Sequence, residues 1–453
     1  MVRTRLGSDR RPPQGGQGRL GGVVRPDRRH ACALRRTLRL AACVLAALLP
    51  LPMASCTGPA ISEESLVMAV DSLLPWLEEL SGLEVRGPVN VALRDREELR
   101  AYVIQRLEEE FTAEEMRGIE ATYRALGLFP DTLDLRSLLL ELYTEQVSGY
   151  YDPKARTLYV MEGVAPEDVQ PVLVHELVHA LQDQHVNLDS LVSKDRGNDR
   201  QAAAQAAMEG HATLVMFSWL AEQQAGRRVA VDELPDFGAI LGPALEARND
   251  SYPVFRSAPR IIRETMLFSY LKGASFVQAL WRAEANGGRP APIGEWLPNS
   301  TEQVLRPGER FIRQRDEPTE VVLEATPSAQ GAWRTVYENT LGELETGIFL
   351  SEHLGAGADT IAHGWDGDRY RLLASPAGGH VFVWYTVWDD DAAANRFADA
   401  YRQVLRLRVA ARQGMVERMS VAGRPVVRVV DAESGVALAD VPIPGIELSG
   451  GQP

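Results

Sequence analysis

The chain has 453 residues, of which 45% are hydrophobic, and a formal net charge of -14 at pH 7. That length and apolar content exclude a disordered or fibrous chain and suffice for two domains. Residues 1–55 hold eleven Arg against two Asp, a net of +9 that leaves -23 for residues 56–453, so the strongly acidic remainder offers no basic surface for phosphates and excludes nucleic acid as a partner.

Residues 1–33 are rich in Arg, Gly and Pro and carry no structural pattern. Residues 34–56 combine a basic start, a short apolar run interrupted by Pro50 and Pro52, and small residues before Cys56. They read as a signal peptide, the run being too short to span a bilayer. Met53-Ala-Ser-Cys56 resembles a bacterial lipobox, in which the cysteine is acylated and becomes the first residue of a membrane-anchored protein facing away from the cytoplasm. Cleavage after Ala54 or Ser55, giving a secreted protein, is the alternative. Cys32, Cys43 and Cys56 are the only cysteines, so no disulfide is expected in the folded part.

Beyond a tether at 56–61, helical periodicity covers 62–80, and 83–93 alternates as a strand. Helices follow at 95–110, 112–126 and 133–146. Residues 149–160 read as a hairpin, with turn residues Asp152-Pro153-Lys154 between β-favouring flanks. An apolar helix around 172–181 comes next, then helices over 201–225, 232–247 and 259–285, and a short one near 298–304 capped by Ser300 or Thr301. From residue 320 the texture changes to a helix at 341–353, strands at 370–373 and 380–388, a helix at 391–405 and a strand region at 421–430. Gly364-Trp-Asp-Gly-Asp368 reads as a structural turn between them. The expected fold class is α+β, with a mainly helical domain over 62–318 that includes a short β hairpin or sheet, and a smaller α+β domain over 319–453 with a flexible tail.

The chemistry concentrates in Val172-Leu-Val-His-Glu-Leu-Val-His-Ala-Leu181, which sets His175, Glu176 and His179 in H-E-x-x-H spacing. Residues four apart on a helix lie one turn up the same face, about 6 Å along the axis, so both imidazoles reach one metal ion. Zn²⁺ lowers the pKa of a bound water towards roughly 7, and a carboxylate at Glu176 takes the proton as that water attacks a carbonyl. An ordinary core helix would need two histidines and a glutamate buried without partners, at several kcal/mol each.

Two residues compete as third ligand. His185 lies where the H-E-x-x-H-x-x-G-x-x-H pattern puts its third histidine, but Gln182 replaces the glycine that turns the helix back. An unbroken helix carries His185 about 15 Å along the axis from His175. Glu209 is the better candidate, the sole carboxylate between Gln201 and Trp219 on an alanine-rich helix suited to close approach. Asp183 and Glu145 are candidates to brace a histidine. Tyr150, Tyr151, His211 and Tyr270 are candidate cleft residues, the bland reading for each being core or hairpin packing.

On these residues the chain resembles the zincin metallopeptidases of gluzincin type, among them bacterial envelope lipoproteins, strongly over 145–215 and more weakly over 259–307. Val172 and Leu181 match the extended pattern, whereas Thr213 stands where the family often has a bracing aspartate. The resemblance implies a zinc endopeptidase with His175, His179 and Glu209 as ligands, Glu176 as general base, Zn²⁺ as cofactor, and a peptide or protein substrate in the envelope. The alternatives are a non-catalytic zinc-binding lipoprotein acting as a scaffold, or a metallo-amidase acting on peptidoglycan peptides.

Overall fold

A computed structural model describes residues 61–191, 196–235, 252–284, 287–325 and 333–451. The leader, the signal segment and Cys56 lie outside the described residues, as does most of the helix expected at 232–247. The fold is α+β. No helix among the described residues is long and apolar enough to cross a membrane.

The first part runs α1 (Glu63–Ser81), β1 (Asn90–Arg94), α2 (Arg96–Glu110), α3 (Ala113–Ala125), α4 (Leu135–Gln146), β2 (Gly149–Asp152), β3 (Thr157–Met161), α5 (Pro166–His185), a one-turn α6 (Leu188–Leu191) and α7 (Asn198–Ala225). Local chemistry sets the helix starts. Ser62, Asp95 and Thr112 each accept from the N3 backbone while the N3 side chain returns the bond. The expected 83–93 strand pairs only over β1, which lies parallel to β3, while β2 is antiparallel to β3, giving the order β1-β3-β2. Next come α8 (Pro253–Ser257), α9 (Arg260–Ala283) and α10 (Thr301–Leu305), the last capped by the Ser300 hydroxyl.

The C-terminal part contains β4 (Thr319–Leu323), β5 (Arg334–Asn339), α11 (Gly342–Leu354), β6 (Trp365–Ala374), β7 (His380–Trp388), α12 (Asp391–Leu407), β8 (Arg412–Val421), β9 (Arg424–Glu433) and β10 (Ile446–Gly450). A five-stranded sheet has the order β5-β6-β7-β9-β8, and β10 pairs β4. One expectation fails here. Gly364-Trp-Asp-Gly-Asp368 is the bulged start of β6, because the buried Asp368 accepts from the backbone N–H of Leu341 and Gly342 and from the indoles of Trp365 and Trp384. The strands expected near 421–430 are the end of β8 and most of β9, joined by a hairpin in which Ala422 (φ 50°) and Gly423 (φ 82°) form the two-residue turn.

One core cluster packs α1, α5, α7 and α9; a second joins Tyr143, Tyr150 and Tyr270 to Phe349, Trp384 and Tyr401, from both sides of residue 318. At this junction Asp199 accepts from the Thr301 backbone N–H (3.1 Å) and hydroxyl, and Glu345 accepts from Tyr123 Oη (2.7 Å) and Asn198 Nδ2 (2.8 Å). Burial pushes both carboxyls up to about 7, with nearby carboxylates adding to it. The folded state therefore binds more protons than the unfolded chain, whose carboxyls titrate near 4, so these groups stabilise at low pH and lose that contribution as pH rises through about 7. The protein is expected to melt at a lower temperature at pH 8 than at pH 5.5, and Asp199→Asn should flatten that slope. Equal melting temperatures at both pH values would remove this account.

Candidate metal centre

Helix α5 opens with Pro166 at its first position, where the missing N–H costs nothing. Its apolar residues Val172, Leu173, Val174, Leu177, Val178 and Leu181 are fully buried. Gly149 of β2 lies against it at Val172, where a Cβ would come within 2.5 Å of Cγ1, so the strand approaches only because no side chain is present. On the other side Ala203, Ala204, Ala206 and Ala207 of α7 bring the second helix close.

These contacts bring His175, His179 and Glu209 together. His175 Nε2 is 3.3 Å from Glu209 Oε2, His179 Nε2 is 3.4 Å from the same oxygen, and the two Nε2 atoms are 3.2 Å apart. The three residues are at most 2% exposed, and one ligand atom from each converges on a common point that could hold a metal ion. Glu209 Oε1 is buried without a partner. Three lone-pair atoms this close repel one another unless a proton or a cation lies among them. Burial disfavours charge on His179, yet the Glu209 carboxylate outweighs it and holds that imidazole up at about 9. His175 is held low by burial. Glu209 is held low despite burial, by the His179 charge and the bonds from both imidazoles.

A chain of hydrogen bonds behind the triad orients His179. Ser81 O accepts from His211 Nε2 (3.0 Å), so His211 Nδ1 accepts from Gln182 Nε2 (3.1 Å), which also donates to Met208 O (3.1 Å). Gln182 Oε1 then accepts from His179 Nδ1 (2.9 Å), which leaves Nε2 as the nitrogen that faces the triad. Sequence reasoning noted Gln182 only as the residue replacing a glycine and did not see this bracing role. Its spacing from His179, three residues on along the helix, is the signal that could have found it. His211 sits behind the triad rather than in a cleft, and burial drives it down to about 3, a neutral structural imidazole. Gln182→Ala is expected to weaken metal binding by roughly 10–100-fold, the usual effect of removing such a support. Unchanged affinity in a competition titration with a chelating dye would show that the chain is ornamental.

Glu176, 1% exposed, stands beside the triad and is not part of it, its Oε2 accepting from the Tyr151 backbone N–H at 2.9 Å. Burial pushes its carboxyl up to about 8, against the pull of His179. The register of β2 on β3 turns the Tyr151 N–H outward from the sheet, so the strand edge next to α5 meets this carboxylate. The Tyr151 hydroxyl bonds Asp183 (3.1 Å), and Tyr270 stacks on His175 with ring centroids 6.3 Å apart. Tyr150 is fully buried, its hydroxyl accepting from Arg94 Nη1 (2.6 Å), away from Glu176. His185 ends the unbroken helix and bonds Glu84 O at 2.8 Å. Neither bracing candidate meets a histidine of the triad: Asp183 accepts from the Tyr151 hydroxyl, and Glu145 caps α8 through Val254 and Phe255.

Residues 331–442 match the sequence profile of a family described as Domain of unknown function (DUF8575). The triad lies outside that segment. No curated protein and no solved structure matches the chain.

Proposed function

We propose that this chain is a zinc-dependent endopeptidase that hydrolyses peptide bonds at the cell envelope, exported by its signal segment and anchored through acylated Cys56. The observation that carries the reading is a buried two-histidine, one-carboxylate triad with a second carboxylate, Glu176, beside it. Its edges of 3.2, 3.3 and 3.4 Å fit the donors of a tetrahedral ion. Ligands bound tetrahedrally at about 2.0–2.1 Å stand roughly 3.3–3.4 Å apart, and this donor set suits zinc with a fourth position open. Zinc held there supplies Lewis acidity that polarises a carbonyl and acidifies water.

The chain's own residues supply the rest. Glu176 takes the proton from the attacking water and returns it to the departing amine. The Tyr151 N–H holds Glu176 Oε2 in place, and the Gln182–His211 chain keeps the His179 lone pair turned inward. One observation favours the alternative of a zinc-binding envelope lipoprotein that cleaves nothing: His175, Glu176, His179 and Glu209 are all at most 2% exposed, so a peptide reaches them only if the structure opens.

The test is cleavage of a mixed peptide library by the full chain after chelation and again after zinc is restored, with Glu209→Ala as control. Cleavage that vanishes, returns with zinc and is missing in Glu209→Ala supports the reading. Stoichiometric zinc with no cleavage at any substrate concentration moves the assignment to the binding protein, and cleavage indifferent to chelation sinks the site.

A further inference from the structure

Residues 405–412 read Leu-Arg-Leu-Arg-Val-Ala-Ala-Arg, a basic and aliphatic run without an acidic residue in a chain whose net charge is -14. The run closes α12 and turns into β8. This turn is pinned from inside. Arg408 donates to Asp431 Oδ2 (3.3 Å) and to Ala125 O, Arg412 donates to Asp431, and the Tyr401 hydroxyl donates to the same fully buried carboxylate (2.9 Å). With those two arginines drawn inward, Arg406, Leu407, Val409 and Ala410 face solvent. Leu407 is 62% exposed and Val409 71%. Single exposed aliphatics need no explanation, but these two stand together on a turn that is held in place.

An open groove of about 680 Å³ lies beside them. Arg402, Arg406 and Arg412 line it together with Leu405, Val409 and Val416, and no carboxylate is among its lining residues. Asp399 accepts from Arg402 Nη1 (2.8 Å), and Asp431 serves both Arg408 and Arg412, so two carboxylates answer four guanidiniums. Among the described residues nothing bonds the Arg406 guanidinium. A cation in the last turn of α12 suits the negative end of the helix dipole, which accounts for Arg406 but gives no reason for the aliphatic pair. Aliphatic side chains on a tip flanked by cations complement a bilayer with anionic headgroups. The arginine stems lie along apolar surface with their guanidiniums at phosphate level, and the aliphatics enter the boundary beneath. Repulsion between the acidic remainder of the chain and such a surface is screened beyond roughly 8 Å at physiological salt, so a contacting patch acts on its local charge. No aromatic side chain is among the tip or groove residues, where a protein interface usually has its anchor.

We infer that the turn between α12 and β8 is a membrane-contact surface, with Leu407 and Val409 entering the interface of a bilayer and Arg402 and Arg406 meeting its anionic phosphates. The inference depends neither on the peptidase reading nor on acylation of Cys56. The test uses the full chain carrying Cys32→Ser, Cys43→Ser and Cys56→Ser, with an environment-sensitive nitrobenzoxadiazole label on Ala410→Cys. The label reads only its own surroundings, so insertion of the signal segment does not produce its signal. The control label is on Met68→Cys of α1, where an equally exposed apolar pair, Val67 and Met68, lies among Glu63, Glu64 and Asp71. Vesicles are phosphatidylglycerol mixed with phosphatidylcholine, or phosphatidylcholine alone. The expected result is a blue shift at position 410 with the anionic vesicles only, none at position 68, and a need for about tenfold more lipid in Arg406→Glu and in Leu407→Ser with Val409→Ser. Melting temperatures check that each variant folds; should the double substitution fold poorly, Arg406→Glu alone decides. No shift, an equal shift on neutral vesicles or at position 68, or a shift that the substitutions leave unaltered overturns the inference. A shift without vesicles that grows with protein concentration means that a second copy of the chain covers the patch, and overturns it as well.

Discussion

Under the proposed function, Glu176→Gln is expected to retain one zinc ion per chain and to lose peptide hydrolysis by about 10²–10⁴-fold, the range that a positioned general base contributes. The change is close to isosteric, and the amide oxygen of glutamine still accepts from the Tyr151 N–H that now holds Glu176 Oε2 at 2.9 Å. Local geometry should therefore survive. Stability should not fall, because the substitution removes a carboxyl that burial pushes up to about 8 and that the Glu209 charge disfavours further. A divalent cation beside Glu176 acts in the opposite direction and favours the ionised base. The measurement is kcat and KM on a peptide cleaved by the parent protein, with zinc content and melting temperature recorded for both. A variant that keeps zinc, folds and cleaves at the parental rate would remove Glu176 from the mechanism. Loss of zinc along with activity would mean that the carboxylate acts as a ligand.

Gly210→Ala should cost about 3 kcal/mol of stability or more, at the upper end of overpacking effects, and should weaken metal binding as well. Helices α7 and α9 cross with Gly210 against Gly273, and a Cβ on Gly210 would lie inside the van der Waals radius of the Gly273 carbonyl. A Cβ on Gly273 would equally strike the carbonyl of Ala206. The obstructing atoms are backbone, so no rotamer change relieves the clash and the helices must separate. Glu209 is the neighbour of Gly210, so moving α7 moves the proposed ligand, whose carboxylate stands 3.3 Å from His175 Nε2. Denaturant unfolding and a chelator competition titration read both effects. A variant with parental stability would show that the crossing can relax, and parental zinc affinity with lowered stability would uncouple the crossing from the site.

Much of the centre was legible because its chemistry is local. His175, Glu176 and His179 fall on one helix, where a four-residue spacing fixes the face, and Glu209 stood out as a lone carboxylate in an apolar stretch. The absence of a turning residue at Gln182 correctly removed His185, which ends the helix bonded to Glu84 O. Roles that depend on partners far along the chain were not legible. His211 acquires its place from Ser81, 130 residues earlier, and Tyr151 contributes a backbone N–H, which no side-chain pattern reveals. Asp368 looked like a turn residue because Gly-Trp-Asp-Gly-Asp has turn composition, yet burial and four donors put it in a strand.

The sequence by itself determined the helix periodicities, a cap at Ser300 or Thr301, the 149–160 hairpin and the His175–Glu176–His179 spacing, since each depends on residues close together along the chain. Tertiary structure alone decided that Gln182 and His211 orient His179, that Gly210 and Gly273 let α7 and α9 meet, and that Glu345 of the C-terminal part meets Tyr123 and Asn198. Those features arise where helices and sheet pack, and packing is set by shape and distance between segments that no local spacing encodes.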